Sequence, residues 1–299
     1  MTRPDRLVQP LRPRNRRAVM ALGAAACLGC ALPPRSARAV APLRFGTTPV
    51  FLNEQIALLE RWQLHLERQL GRPLLFVQRG SYREIVDMLL GDAVEAAWLC
   101  GHPFVLHEAK LAVIAVPRYQ GEPLYRSHLI VPSVDSTTRH VLDLRGRVFA
   151  YSDPLSNSGY LIPRAEIAAG GGRPASFFRR TFFTFSHRKV VEAVRAGLAD
   201  GGAVDGYVWD TMAAQQPRSV EGLRVAWRSA PHGFPPVVAR RSWAGADAQR
   251  LGRALREMSD TASGREILQR LNIDGFDEPR VGQFESIRAL QRSAESGGG

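Results

Sequence analysis

Lysine, cysteine and long apolar spans are all scarce in this 299-residue chain, and each scarcity closes off a class of function. Only Lys110 and Lys189 are lysines, and the arginines are scattered rather than gathered into a basic stripe interleaved with aromatics, so nucleic-acid binding is not expected. Of the 3 cysteines, Cys27 and Cys30 lie in a segment read below as removed on export. That leaves Cys100 alone, which permits no internal disulfide and makes a buried thiol the expectation. Zinc chemistry lacks its ligands: there is no H-E-x-x-H, no cysteine pair beyond residue 39, and His102 and His107 do not share a helical face. Neither a metal nor a cofactor is expected.

What is present begins with an export signal over residues 1–39. Arg3, Arg6, Arg12, Arg14, Arg16 and Arg17 precede an apolar run from Ala18 to Leu32 that is too short to span a bilayer, and Ala37-Arg38-Ala39 supplies an A-x-A cleavage site. Asn15-Arg16-Arg17-Ala18-Val19-Met20 fits a twin-arginine signal loosely, so that route and general secretion both stay open. Leu28-Gly29-Cys30 raises a lipid anchor, but Cys27 and Leu28 stand where such a box wants a branched apolar and then a small residue, so the anchor is the less favoured outcome. The segment holds eight of the 40 basic and one of the 28 acidic residues, leaving 32 against 27, a net charge of +5. A periplasmic protein of modest charge is expected, with enough chain for two lobes of roughly 100 to 150 residues each.

Strand and helix signals alternate from Leu43 onward. Strands are predicted at Leu43 to Gly46, Leu74 to Gln78, Ala96 to Leu99 and Leu111 to Val116, with a helix capped by Asn53 and another opened by a Ser81/Glu84 capping box. The same logic restarts at His128 to Pro132 and continues through Val148 to Tyr151, Phe182 to Phe185 and Ala203 to Val208, with a helix after Ser186 that turns Val190, Val191, Val194 and Leu198 inward. Leu223 to Trp227 reads as a return path, followed by two helical patterns after Asp247. The expected fold is α/β in two lobes, each a mainly parallel sheet flanked by helices. Lobe 1 takes residues 42–126 and 228–290, lobe 2 is inserted at 127–227 with a hinge between, and 291–299 form a disordered tail.

The richest segment is Asp153-Pro-Leu-Ser-Asn-Ser-Gly-Tyr-Leu-Ile-Pro163, where an apolar strand ends and a helix begins on three small polar side chains. Ser156, Asn157 and Ser158 each carry a hydrogen-bond donor, the first-turn amides point to the same place, and the helix dipole favours an anion there. Gly159 allows close approach to the backbone. The same groups also serve simply as helix caps, so on spacing alone capping and anion binding stay open. His187 at a helix start, Asp205 at a strand end and Tyr82 at another helix start each have an equally plain structural reading.

Taken together, Asp153 to Leu161, Ser186-His187 with Val190-Val-Glu-Ala-Val194, Gly197 to Asp205 and Ala97-Trp98 resemble the phosphate, phosphite and phosphonate-binding proteins of ABC importers, over roughly Leu43 to Asp274. The resemblance implies a type II periplasmic binding fold whose lobes close over a small phosphorus oxyanion and present it to a membrane permease, most simply as a monomer. It carries the ligand contacts to Tyr82, Ser156, Asn157, Ser158, Gly159, His187 and Asp205, and assigns no catalytic residue. Asn157 stands where relatives usually have Thr, and Leu99-Cys100-Gly101-His102 where they carry a tyrosine after the strand's tryptophan. His187 is expected to become a charged donor if the anion raises its pKa, and Asp205 to select a singly protonated phosphorus oxyanion or an amino-substituted phosphonate. A Ser-His-Asp hydrolase using Ser156 or Ser158 with His187 and Asp205 is the competing class, disfavoured by the absence of a G-x-S-x-G elbow; a ligand-sensing lobe of a signalling system is the third.

Overall fold

The computed structural model describes residues 41–49 and 56–296; the export segment and the Asn53 cap lie outside the described residues. The first half runs β1 (Leu43–Thr47), α1 (Ile56–Leu70), β2 (Leu74–Gln78), α2 (Tyr82–Leu90), β3 (Ala96–Trp98), α3 (Gly101–Leu106), β4 (Leu111–Arg118), β5 (Leu124–Tyr125), β6 (Ser127–Pro132) and β7 (Val148–Tyr151). Then follow α4 (Ile162–Ala169), β8 (Arg180–Phe183), α5 (His187–Arg195), β9 (Gly201–Asp205), α6 (Gly206–Gln215) and β10 (Leu223–Arg228). The chain closes with β11 (His232–Gly233), β12 (Val237–Arg240), α7 (Ala246–Arg256), α8 (Ala262–Leu271), β13 (Gly275–Asp277) and α9 (Glu285–Ser296).

Apolar residues at helical spacing decide which face of each helix is buried. In α1, Leu58, Leu59, Trp62 and Leu66 all turn inward, each contributing about 1.5–3 kcal/mol of burial, and Trp62 meets Phe45, Phe76, Trp98 and Phe276 in one aromatic cluster. These residues cover a six-stranded sheet of order β13-β4-β12-β3-β1-β2. A second core around Phe149, Tyr151, Phe177 and Phe178 belongs to a five-stranded sheet of order β10-β6-β9-β7-β8, and the short pair β11-β5 lies on the path between the two.

Both sheets are mixed, not mainly parallel as the sequence suggested. β1 runs parallel to β2 and β3, and β7 parallel to β8 and β9, whereas β12 is antiparallel to β3 and β4, and β6 antiparallel to β9 and β10. The reason lies in connectivity: a parallel neighbour needs a crossover helix, and β6 and β12 arrive directly from the other sheet without one.

Three local expectations also change. The strand foreseen at Ala203 to Val208 stops at Asp205, whose carboxylate accepts the Tyr207 N–H at 2.9 Å and caps α6. Leu198 is 61 % exposed rather than inward, because α5 ends at Arg195 and the chain turns at Gly197 with φ +71°. The tail placed at 291–299 is helical as far as Ser296. Phe284 and Ile287 anchor that helix against Gly101, where an added Cβ would lie 2.5 Å from Ile287, and α9 also packs on α4 and β11.

Candidate functional site

Residues just past β3 and at the start of α2 meet residues just past β7 and at the start of α5, with the end of β9 bonded to His187, and the candidate residues cluster there. Ser156, Asn157 and Ser158 are fully buried, and Tyr82, His187 and Asp205 are buried nearly as completely.

The polar turn owes its shape to Pro163. In an α-helix the Gly159 carbonyl would await the N–H of residue 163, which proline lacks. Instead Asn157–Leu161 form a π-helical turn, closed by the Leu161 N–H on the Ser156 carbonyl at 3.0 Å. The freed carbonyls find other donors: Gly159 accepts from the Ser152 N–H at 3.3 Å, and Ser158 from the Ser127 hydroxyl at 2.7 Å. Ser156 caps the turn by accepting the Gly159 N–H at 2.9 Å, as the plain reading had it, while its hydroxyl hydrogen stays available to donate. The Ser158 hydroxyl approaches Tyr125 but has no partner of good hydrogen-bond geometry.

Asn157 is held from the opposite side. Its Nδ2 donates to the Tyr125 hydroxyl at 3.0 Å and its main-chain N–H points at Cys100 Sγ, 3.3 Å away. Cys100 and Tyr125 therefore contact the candidate site, which the sequence reading missed. A lone cysteine and a tyrosine in a two-residue strand carry no local signal, although the departure at Leu99-Cys100 marked the right place. Burial pushes the Cys100 thiol up to about 11, so at neutral pH it is a protonated, weak acceptor rather than a thiolate.

His187 joins the two halves. Its Nδ1 accepts the Asp205 main-chain N–H at 3.1 Å, so the ring hydrogen sits on Nε2, which lies 3.2 Å from the Tyr82 hydroxyl. Burial drives its pKa down to about 3. The ring by itself is thus a neutral donor with a fixed tautomer, and protonating Nδ1 would break its bond to Asp205. A second cross-link runs from the Tyr82 N–H to Asp153 Oδ2 at 3.1 Å, with the other oxygen of Asp153 accepting the Leu155 N–H at 2.8 Å.

This pattern differs from a Ser-His-Asp relay. The Asp205 carboxylate bonds the Tyr207 N–H and not the imidazole, and His187 Nε2 meets a phenol and not a serine. Among the described residues, no group of three or more His, Cys, Asp or Glu side chains is placed to hold a metal ion.

Burial lifts the Asp205 carboxyl to about 7, with the Tyr207 and Val208 N–H groups opposing. Between about pH 4 and 7 the native chain holds a proton there that the unfolded chain releases, so this stabilisation is lost as pH rises. His187 acts in reverse from about pH 3 to 6.5, because the unfolded chain binds a proton that the native ring refuses, and its contribution grows with pH. The two slopes offset each other. Asp205→Asn keeps a capping side chain and removes one of them, so urea unfolding between pH 4.5 and 6.5 is expected to show the variant gaining roughly 1 kcal/mol per pH unit over the wild type. Parallel curves for the two proteins would remove the assignment.

A family model described as "ABC transporter, phosphonate, periplasmic substrate-binding protein" matches residues 45–282. The chain is 24% identical over 241 residues to the phosphate-import protein PhnD of Mycolicibacterium smegmatis, covering 77% of this chain and 71% of that one. It is 27% identical over 232 residues to the phosphonates-binding periplasmic protein of Escherichia coli, covering 75% and 68%. Among solved structures, a binding protein component of an ABC phosphonate transporter from Pseudomonas aeruginosa superposes with a TM-score of 0.76 at 24% identity, over 86% of this chain and 89% of that one. That likeness shows the fold, a two-lobed type II periplasmic binding protein. No helix among the described residues is long and apolar enough to cross a membrane.

Proposed function

Because the chain belongs to the phosphonate periplasmic substrate-binding proteins of ABC transporters, we propose that it captures a small phosphorus oxyanion between its lobes and delivers it unchanged to a permease outside the cytoplasm. The observation that carries this reading is the fully buried 156–158 turn, whose Ser158 hydroxyl has no partner of good hydrogen-bond geometry, in a cluster that also holds the neutral Nε2–H of His187. Buried polar groups are rarely left so, and a tetrahedral anion offers the acceptors that Ser156, Ser158 and His187 need. Tyr82 and Cys100 approach from the first lobe, so the seat is complete only when the lobes meet, and binding and closure are coupled.

Two features support passive capture over hydrolysis: the imidazole lacks a carboxylate partner, and the family's members are substrate-binding transport proteins. Asp205, with its carboxyl near neutrality, favours ligands that share a proton over fully ionised sulfate. In a thermal-shift screen of phosphate, phosphite, methylphosphonate, 2-aminoethylphosphonate and sulfate, a phosphorus compound is expected to give the largest rise in Tm, and Ser158→Ala to remove most of it. Equal stabilisation by sulfate would overturn the role given to Asp205; no stabilisation by any phosphorus compound would overturn the reading as a whole.

A further inference from the structure

Arg145, Arg147, Arg173, Arg179 and Arg180 are scattered in the sequence, yet the fold gathers them at one end of the five-stranded sheet. Four sit on two loops, one entering β7 and the other β8, and Arg180 opens β8 itself. The loops are bonded side by side: the Gly146 N–H donates to the Phe177 carbonyl and the Arg179 N–H to the Arg147 carbonyl, both at 2.9 Å. Gly146, at φ +73°, makes the turn that this pairing needs, and the buried rings of Phe177 and Phe178 pin the second loop to the core. A turn closed by the Ser176 N–H on the Arg173 carbonyl at 3.1 Å links Arg173 to the same loop. All five residues are exposed, and the Arg145 guanidinium lies over the Phe177 ring, 4.5 Å from its centre.

None of the five forms an ion pair among the described residues. Two carboxylates adjoin this end and are bonded to main chain instead: Asp143 accepts the Arg139 and His140 N–H groups at 2.8 and 2.9 Å, and Asp200 accepts the Val148 N–H at 2.8 Å. With both counted, five positive against two negative, the face keeps a surplus of three charges, more than half of the +5 carried by residues 40–299. β7 begins at this face and ends at Tyr151, next to Ser152 and Asp153, so a strand's length, roughly 13 Å, separates these loops from the oxyanion seat. Spread along two loops instead of around one point, the guanidiniums suit an extended anionic surface better than a single small anion. Phe177 and Phe178, being buried, offer no ring on which a nucleic-acid base could stack.

We propose that this end of the five-stranded sheet is a membrane-docking face, which holds the exported protein on an anionic phospholipid surface through these five guanidiniums. The family works with a transporter, which sits in a membrane, so such a surface is within reach. Guanidinium forks match the oxygens of a lipid phosphodiester, and each basic side chain close to an anionic bilayer strengthens binding roughly fivefold. Vesicle flotation of the purified protein tests the proposal, with equimolar phosphatidylglycerol and phosphatidylcholine against phosphatidylcholine alone. At ~50 mM salt the anionic vesicles are expected to carry on the order of tenfold more protein than the neutral ones, and to release it by ~1 M, where charges are screened beyond ~3 Å. Arg147→Gln/Arg179→Gln/Arg180→Gln is expected to lose at least about tenfold in binding. Arg68→Gln/Arg241→Gln/Arg253→Gln removes the same charge from exposed positions on the other sheet's side and is expected to stay within about twofold of the wild type. Equal binding to neutral vesicles, no binding to either kind, binding that survives high salt, or equal losses in the two triple variants would each overturn the proposal. Firmer retention of single-stranded RNA than of anionic vesicles would replace the membrane with a nucleic acid and overturn it too. The seat plays no part in the measurement, so failure here leaves the oxyanion reading standing.

Discussion

His187→Ala is expected to raise the Kd for the phosphorus ligand by about a hundredfold or more and to lower unfolding stability by ~3 kcal/mol. Three losses add up. The Asp205 main-chain N–H, buried and bonded to Nδ1 at 3.1 Å, is left without an acceptor, which alone costs about 1–3 kcal/mol. The Tyr82 hydroxyl loses its partner across the cleft, and the ligand loses the Nε2–H donor. A hole the size of an imidazole then opens in a fully packed junction. Titration calorimetry and urea unfolding read the two effects separately. A variant that binds within threefold of the wild type would show that the ring is only packing.

Gly159→Ala is the second severe change, and it acts by volume rather than by backbone strain. A Cβ at this position would lie 1.9 Å from Ser152 Oγ, 2.8 Å from Ser152 Cβ and 3.1 Å from His187 Cε1. Ser152 is 1 % exposed and sits at the end of β7, so it cannot swing away, and the π-helical turn must shift as a unit. The expected cost is ~3 kcal/mol, with loss of ligand-induced stabilisation because the Ser158 hydroxyl moves with the turn. The test includes its own rescue: Ser152→Gly removes both of the nearest atoms, so the double variant Ser152→Gly/Gly159→Ala is expected to recover more than half of the lost stability. A single variant as stable as the wild type, or a double variant no better than the single, would show that this crowding does not govern the turn.

The seven candidate site residues could be picked out, and the fold clusters them, because chemistry and position coincide in them. Small polar side chains at a strand-to-helix turn, a histidine at a helix start and an aspartate at a strand end keep their meaning whatever the sheets do. Strand direction was not legible, since an apolar run such as that of β12 reads the same whether its neighbours run with it or against it. The end of β9 was missed because Tyr207 and Val208 are as buried and apolar as a strand would make them; only the Asp205-Gly206 pair hinted at a cap. At α9 only the boundary was set too early: Phe284, Ile287 and Leu290 fall in lobe 1 as expected, but the helix they anchor runs past residue 290 to Ser296. The π-helical turn lies beyond any local pattern, because it depends on Ser127 and Ser152 supplying donors from elsewhere in the chain.

The place of β12 has a consequence for how the molecule is made. β12 is the plank between β3 and β4, and it leaves the ribosome roughly 120 residues after β4, a wait of about 6–24 s at ~5–20 residues per second. Until then β1, β2 and β3 can form one three-stranded fragment, while β4, whose neighbours β12 and β13 both come later, has no strand to pair with. The nascent chain therefore has no finished amino-terminal domain to tuck away early, and assembly is postponed until nearly the whole polypeptide has emerged.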